Sequence, residues 1–103
     1  MYKICFFVPE SASELVKIAM FHAGAGKIGN YDRCSFETLG MGQFRALAGA
    51  KPSVGRVGEL EEVRELKVEM VCEDSVIKEV VIALKKNHPY EIPAYNIIKL
   101  ADF

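Results

Sequence analysis

No apolar run in these 103 residues approaches the length, about 20 residues, at which a helix crosses a bilayer. The apolar start, Met1-Tyr2-Lys3-Ile4-Cys5-Phe6-Phe7-Val8, is short and ends at Pro9-Glu10-Ser11. No small-residue cleavage site follows it, so neither a signal peptide nor a membrane partner is expected. There is no low-complexity or strongly charged block, which excludes general disorder. There is no basic excess either: 13 Lys and Arg stand against 14 Asp and Glu, a formal charge of −1. A dedicated nucleic-acid binder usually carries such an excess, so no nucleic acid is expected as partner. Cysteine is scarce, and Cys5, Cys34 and Cys72 form an odd set without C-x-x-C spacing. They read as reduced, buried thiols of a cytoplasmic protein. Histidine is scarcer still, with only His22 and His88. A structural zinc ion takes about four ligands at short spacing, which two distant histidines do not supply. No G-x-S-x-G, H-E-x-x-H or Walker motif occurs.

What is present is the balance of a soluble globular protein, 50% hydrophobic and 26% charged. The length suits one domain over residues 1–103, able to bury a core without staples. Residues 2–8 read as a central strand, because both faces are apolar. Ser11 with Glu14 forms a capping box for a helix whose stripe is Ala12, Leu15, Val16, Ala19, Met20 and Ala23. Gly24 and Gly26 stop it. Residues 31–39 alternate, with Cys34, Phe36 and Thr38 on the apolar side. Gly40-Met41-Gly42 reads as a turn and Gln43–Leu47 as a returning arm. Residues 48–62, with Gly49, Pro52, Gly55 and Gly58, read as a long loop. Residues 64–72 form a strand that points Leu66, Val68, Met70 and Cys72 one way. Asp74 caps a second helix with Val76, Val80 and Leu84 inside and Lys85 and Lys86 in its last turn. His88-Pro89 ends that helix, and residues 94–100 form the last strand.

This order, β-α-β-(β)-β-α-β, is the α+β ferredoxin-like pattern (βαββαβ) with an extra central hairpin or loop. Its helices cover one sheet face, and in a chain of this size the other face is expected to find a second subunit. Gly24-Ala25-Gly26-Lys27-Ile28-Gly29 matches G-x-G-x-x-G, but a helix precedes it where a dinucleotide site needs a strand. It reads as a helix stop and turn, whose amides and Lys27 can also line an anion site. Glu59, Glu61, Glu62 and Glu65 read as a solvated acidic face without a histidine or nucleophile beside them. The most distinctive segment is His88-Pro89-Tyr90-Glu91-Ile92-Pro93-Ala94-Tyr95. Its prolines hold the chain extended, so it reads first as a rigid connection aiming the last strand, and second as a ligand site.

Four segments in order carry a family resemblance. They are Gly26–Phe36 (GKIGNYDRCSF), Gly40–Arg45 (GMGQFR), Val54–Gly58 (VGRVG) and His88–Tyr95 (HPYEIPAY). Together they resemble the YqfO-type inserted domain of the NIF-three-like dinuclear-metal family, over nearly the whole chain. The His-Pro-Tyr-Glu element is also similar to CutA. Both are PII-like, ferredoxin-like domains whose members are often trimers. The resemblance implies a stand-alone copy of the insert, without the flanking domains that hold the family's two metals, so no residue here inherits those ligands. Ile92 stands where the family commonly has a second acidic residue. The implied function is a non-enzymatic oligomeric module holding a metal ion or small ligand at subunit clefts, through Lys27, Arg33, Arg45, His88, Tyr90 and Glu91. His88 and Glu91 are the candidate ligands of a divalent metal. The alternatives are a protein-docking domain and a metal-dependent hydrolase with a site shared between subunits.

Overall fold

The computed structural model describes residues 1–103. Strand β1 (Tyr2–Pro9) leads through a 3₁₀ turn at Glu10–Ala12 into helix α1 (Ser13–His22). Strands β2 (Phe36–Arg45) and β3 (Leu60–Cys72), helix α2 (Ile77–Asn87) and strand β4 (Tyr95–Lys99) follow. The four strands form one antiparallel sheet in the order β2-β3-β1-β4. This is the expected ferredoxin-like α+β arrangement, with β1 inside the sheet. No helix is long and apolar enough to cross a membrane.

Strand periodicity sorts the side chains. Ile4, Phe6 and Val8 of β1 oppose Met70, Val68 and Leu66 of β3. Residues opposed in an antiparallel pair share a face, and these close against Val16 and Met20 of α1 and Val80 and Leu84 of α2 in one core. The other sheet face is uncovered and mixed. Lys3, Cys5 and Phe7 lie there opposite Val71, Glu69 and Lys67, with Ile98 of β4 beside Lys3 and Phe36 of β2 beside Glu69. Lys3 and Glu69 form an ion pair on it.

Several local expectations are corrected. Gly40-Met41-Gly42 is not a turn: β2 runs straight through, with Gly40 opposite Glu65 and Gly42 opposite Val63. The 13-residue β3 supplies backbone partners for all ten residues of β2, and that pairing outweighs the local turn preference of glycine. The loop alone, residues 46–59, is the central insertion. The inner face of β2 is also the reverse of that expected. Phe36 is 68% exposed, while Glu37 is half-buried and receives Lys17 of α1 as an ion pair. Cys34 precedes the strand and is only half-buried; Cys5 and Cys72 are buried, and all three thiols are free. Burial pushes the Cys5 and Cys72 thiols up, which favours the protonated thiol over the thiolate.

The caps differ too. Ser11 falls inside the 3₁₀ turn, and α1 starts from Ala12 with no side-chain cap. The buried stripe of α1 is Ser13, Val16 and Met20, and Leu15 faces outward at 63% exposure. Helix α2 starts from Val76, likewise uncapped, and Asp74 pairs instead with the terminal ammonium of Met1. Gly24 and Gly26 end α1 in the left-handed region, as expected.

Candidate functional site

β1 pairs with β3 only up to Pro9–Glu65, whereas β2 pairs with β3 out to Arg45–Leu60. The far halves of β2 and β3 therefore project past β1 as a two-stranded arm. The molecule is elongated accordingly, 46 × 24 × 24 Å. Where the arm leaves the sheet, the loop after β2 and the segment before β4 approach it. Between them lies a cleft of about 380 Å³. Its lining is largely apolar, with Phe7, Phe44, Leu47, Pro52 and Ile92. Its polar groups are Gln43, Arg45, Ser53, Glu65, Tyr90 and Glu91.

The His-Pro-Tyr-Glu segment builds one wall. His88 is buried where α2 ends. Its Nε2 lies 2.7 Å from the Phe7 carbonyl oxygen, and its Nδ1 accepts the Tyr90 amide N–H at 3.0 Å. Nδ1 is thus the acceptor and Nε2–H the donor, so the ring is a neutral tautomer joining β1 to the turn. Pro89 breaks the helix, and Phe7 N–H donates to the Ala94 carbonyl as β4 begins. These bonds fix Tyr90, whose ring meets Phe44 edge-on at 5.7 Å and His88 at 5.1 Å.

Burial pushes the His88 pKa below its usual value of 6.5, against weaker upward pulls from the Phe7 carbonyl and Glu65. The unfolded chain then takes up a proton near that ordinary value while the folded chain resists it. Stability from this group is complete above the ordinary value and falls as pH drops below it. The melting temperature is expected to fall between about pH 6.5 and pH 5, ahead of carboxylate titration. A His88→Gln variant measured by circular dichroism loses that part of the profile.

The Tyr90 hydroxyl is buried and has no hydrogen-bond partner of good geometry. Burial first, and the facing Glu65 carboxylate second, raise its pKa far above the usual tyrosine value, so it stays protonated. Glu65 itself lies over Gly42, where a Cβ atom would overlap the carboxylate. The absence of a side chain at Gly42 leaves this space to the carboxylate.

The structure brings three of the sequence-derived candidates, Arg45, Tyr90 and Glu91, to this cleft, and puts His88 behind its wall. Glu91 is exposed and weakly accepts the Lys51 amide N–H at 3.4 Å. Lys27 and Arg33 lie elsewhere, in the exposed connection between α1 and β2. Arg33 is the one non-glycine residue in the left-handed region, at φ 55°. Sequence reading missed the cleft roles of Phe7, Phe44 and Gly42, and it took Glu65 for part of a solvated acidic face. The alternation Glu61-Val63-Glu65 was the available signal, since it places both carboxylates on the uncovered face. No three His, Cys, Asp or Glu side chains converge as a metal site, and both His88 ring nitrogens are engaged, so the residues of one copy do not fit a divalent cation.

No family model matches the chain. Individual proteins do. It is 48% identical over 95 residues to a "GTP cyclohydrolase 1 type 2 homolog" of Bacillus subtilis, covering 92% of this chain and 26% of that protein. The crystal structure of a Bacillus cereus protein related to NIF3 superposes with a TM-score of 0.83 at 37% identity, over 98% of this chain and 26% of that one. The periplasmic divalent cation tolerance protein CutA of Archaeoglobus fulgidus superposes with a TM-score of 0.69 at 16% identity, over all of this chain and 87% of that one. The last likeness is one of fold. The chain spans about a quarter of the length of the curated relatives it matches.

Proposed function

On the premise that the chain is a domain of the NIF-three-like family with a PII/CutA-like fold, we propose that it is a non-enzymatic binding or regulatory module. It assembles through its uncovered sheet face, as a trimer, and holds a small ligand in the cleft beside Tyr90. The observation that carries this reading is the cleft itself: an apolar pocket with a buried, unpartnered hydroxyl and a carboxylate lodged over a glycine. Arg45, Tyr90 and Glu91 contact the ligand, and His88 positions Tyr90. Lys27 and Arg33 join the site only from a neighbouring copy. The uncovered face supports assembly, since Phe36, Val71 and Ile98 lie on it unburied by this chain. The activities in the relatives' names belong to proteins about four times as long, and they come to this chain only as hypotheses.

Native mass spectrometry of the purified chain tests the reading. An assembly larger than a monomer, carrying extra retained mass, is expected; a bare monomer of 11.5 kDa would overturn it. A glycine pair adds a local test. Gly42→Ala displaces the Glu65 carboxylate and is expected to abolish the retained mass. Gly40→Ala meets nothing within 4 Å and is expected to leave it unchanged. Both variants should keep their melting temperature within a few degrees, roughly, because neither glycine has a positive φ.

A further inference from the structure

The polar groups of the cleft constrain what can occupy it. Two carboxylates, Glu65 and Glu91, face one guanidinium, Arg45. An anion would therefore meet more negative than positive charge. Glu65 forms no ion pair within the chain; the five that exist involve Glu10, Glu14, Glu37, Glu69 and Asp74. Its carboxylate is half-buried on the cleft floor, against Gly42. A carboxylate held there without a cation is stabilised by an occupant that supplies one. A bare metal ion does not suit it, because no third ligating side chain converges.

The remaining chemistry is organic. The protonated Tyr90 hydroxyl faces Glu65 with its O–H, which leaves its oxygen lone pairs and the remaining lone pairs of the carboxylate as acceptors for a group of adjacent N–H donors in the cleft. The rings of Phe7 and Phe44 and the side chains of Leu47 and Ile92 surround these acceptors with apolar surface. Resting on the reading that this cleft holds a small ligand, we infer that its occupant is a flat organic cation. An amidine- or guanidine-type group places paired N–H donors on Glu65, and its apolar body lies among Phe7, Phe44 and Ile92. Planar N–H pairs match a carboxylate in bidentate fashion, which a point-charge ammonium does not.

Benzamidine is the probe, with benzoate as its anionic counterpart of nearly the same shape. Each is titrated into the assembled full chain and followed by NMR and calorimetry. Benzamidine is expected to shift the Tyr90 and Phe44 resonances and to bind about tenfold or more tighter than benzoate. Glu65→Gln, which keeps the side-chain shape, is expected to weaken benzamidine by about tenfold while its NMR spectrum stays that of the folded protein. Benzoate binding as well as benzamidine, or an unaffected Glu65→Gln variant, would overturn the inference. The module reading fails separately. A retained mass sensitive to Gly42→Ala, with no benzamidine binding, sinks the cation class alone. No retained mass and no response to either probe sinks both.

Discussion

His88→Ala is expected to lower the unfolding free energy by about 2–4 kcal/mol, read as a drop in melting temperature of roughly 10–20 °C. The imidazole bonds two backbone groups from distant parts of the chain, the Phe7 carbonyl and the Tyr90 amide. Alanine leaves both without a partner beside the core and opens a void where a buried ring stood. The carbonyl of Phe7 has no alternative in the sheet, because β4 pairs with β1 only as far as Phe6–Tyr95. Glu91→Ala is the contrasting variant. Glu91 is exposed and its one hydrogen bond is long, so its loss is expected to change stability by less than about 0.5 kcal/mol. Chemical denaturation of the two proteins checks both statements. Equal stability of the His88 variant and the parent chain would remove the structural role assigned to this histidine.

If the chain assembles through its sheet face as proposed, Ile98→Glu is expected to leave folded monomers of 11.5 kDa. Ile98 lies opposite Lys3 on the uncovered sheet face and is half exposed in a single copy. A carboxylate there sits beside Lys3 in the monomer and costs the fold little. Lys3 is already paired with Glu69, so an assembly that buries this face would bury one uncompensated negative charge per copy, which costs several kcal/mol, enough to dissociate a small oligomer. Size-exclusion chromatography with light scattering gives the mass, and circular dichroism confirms the fold. An unchanged assembly mass would move the interface to another surface and separate oligomer formation from the sheet face.

Much of the fold was legible because its signals are local. The run Ile4–Val8 is apolar on both faces, which suits an inner strand: β1 is paired on both edges, with Ile4, Phe6 and Val8 in the core. Val80 and Leu84 fall on one helical face, and Pro89 ends the helix by its missing N–H. The direction of β2 was not legible. Gly40-Met41-Gly42 carries a turn signal, and only the length of β3 overrides it. The capping box at Ser11 and the N-cap at Asp74 failed for a related reason: both residues had competing uses, in the 3₁₀ turn and the terminal ion pair.

The candidate site divides the same way. The sequence by itself determined that the His88–Tyr95 segment is rigid and distinctive, since proline chemistry is intrinsic to the chain. It also determined the ferredoxin-like order of elements, because hydrophobic periodicity repeats within each element. Only the tertiary structure decided that His88 is a brace, that Glu65 is a cleft floor and not a solvated charge, and that Gly42 makes room for it. Each of these depends on a contact between residues far apart in the chain: His88 with Phe7, Tyr90 with Phe44, Gly42 with Glu65. A contact of that kind is set by strand register and the packing of the whole sheet, and no local pattern encodes it.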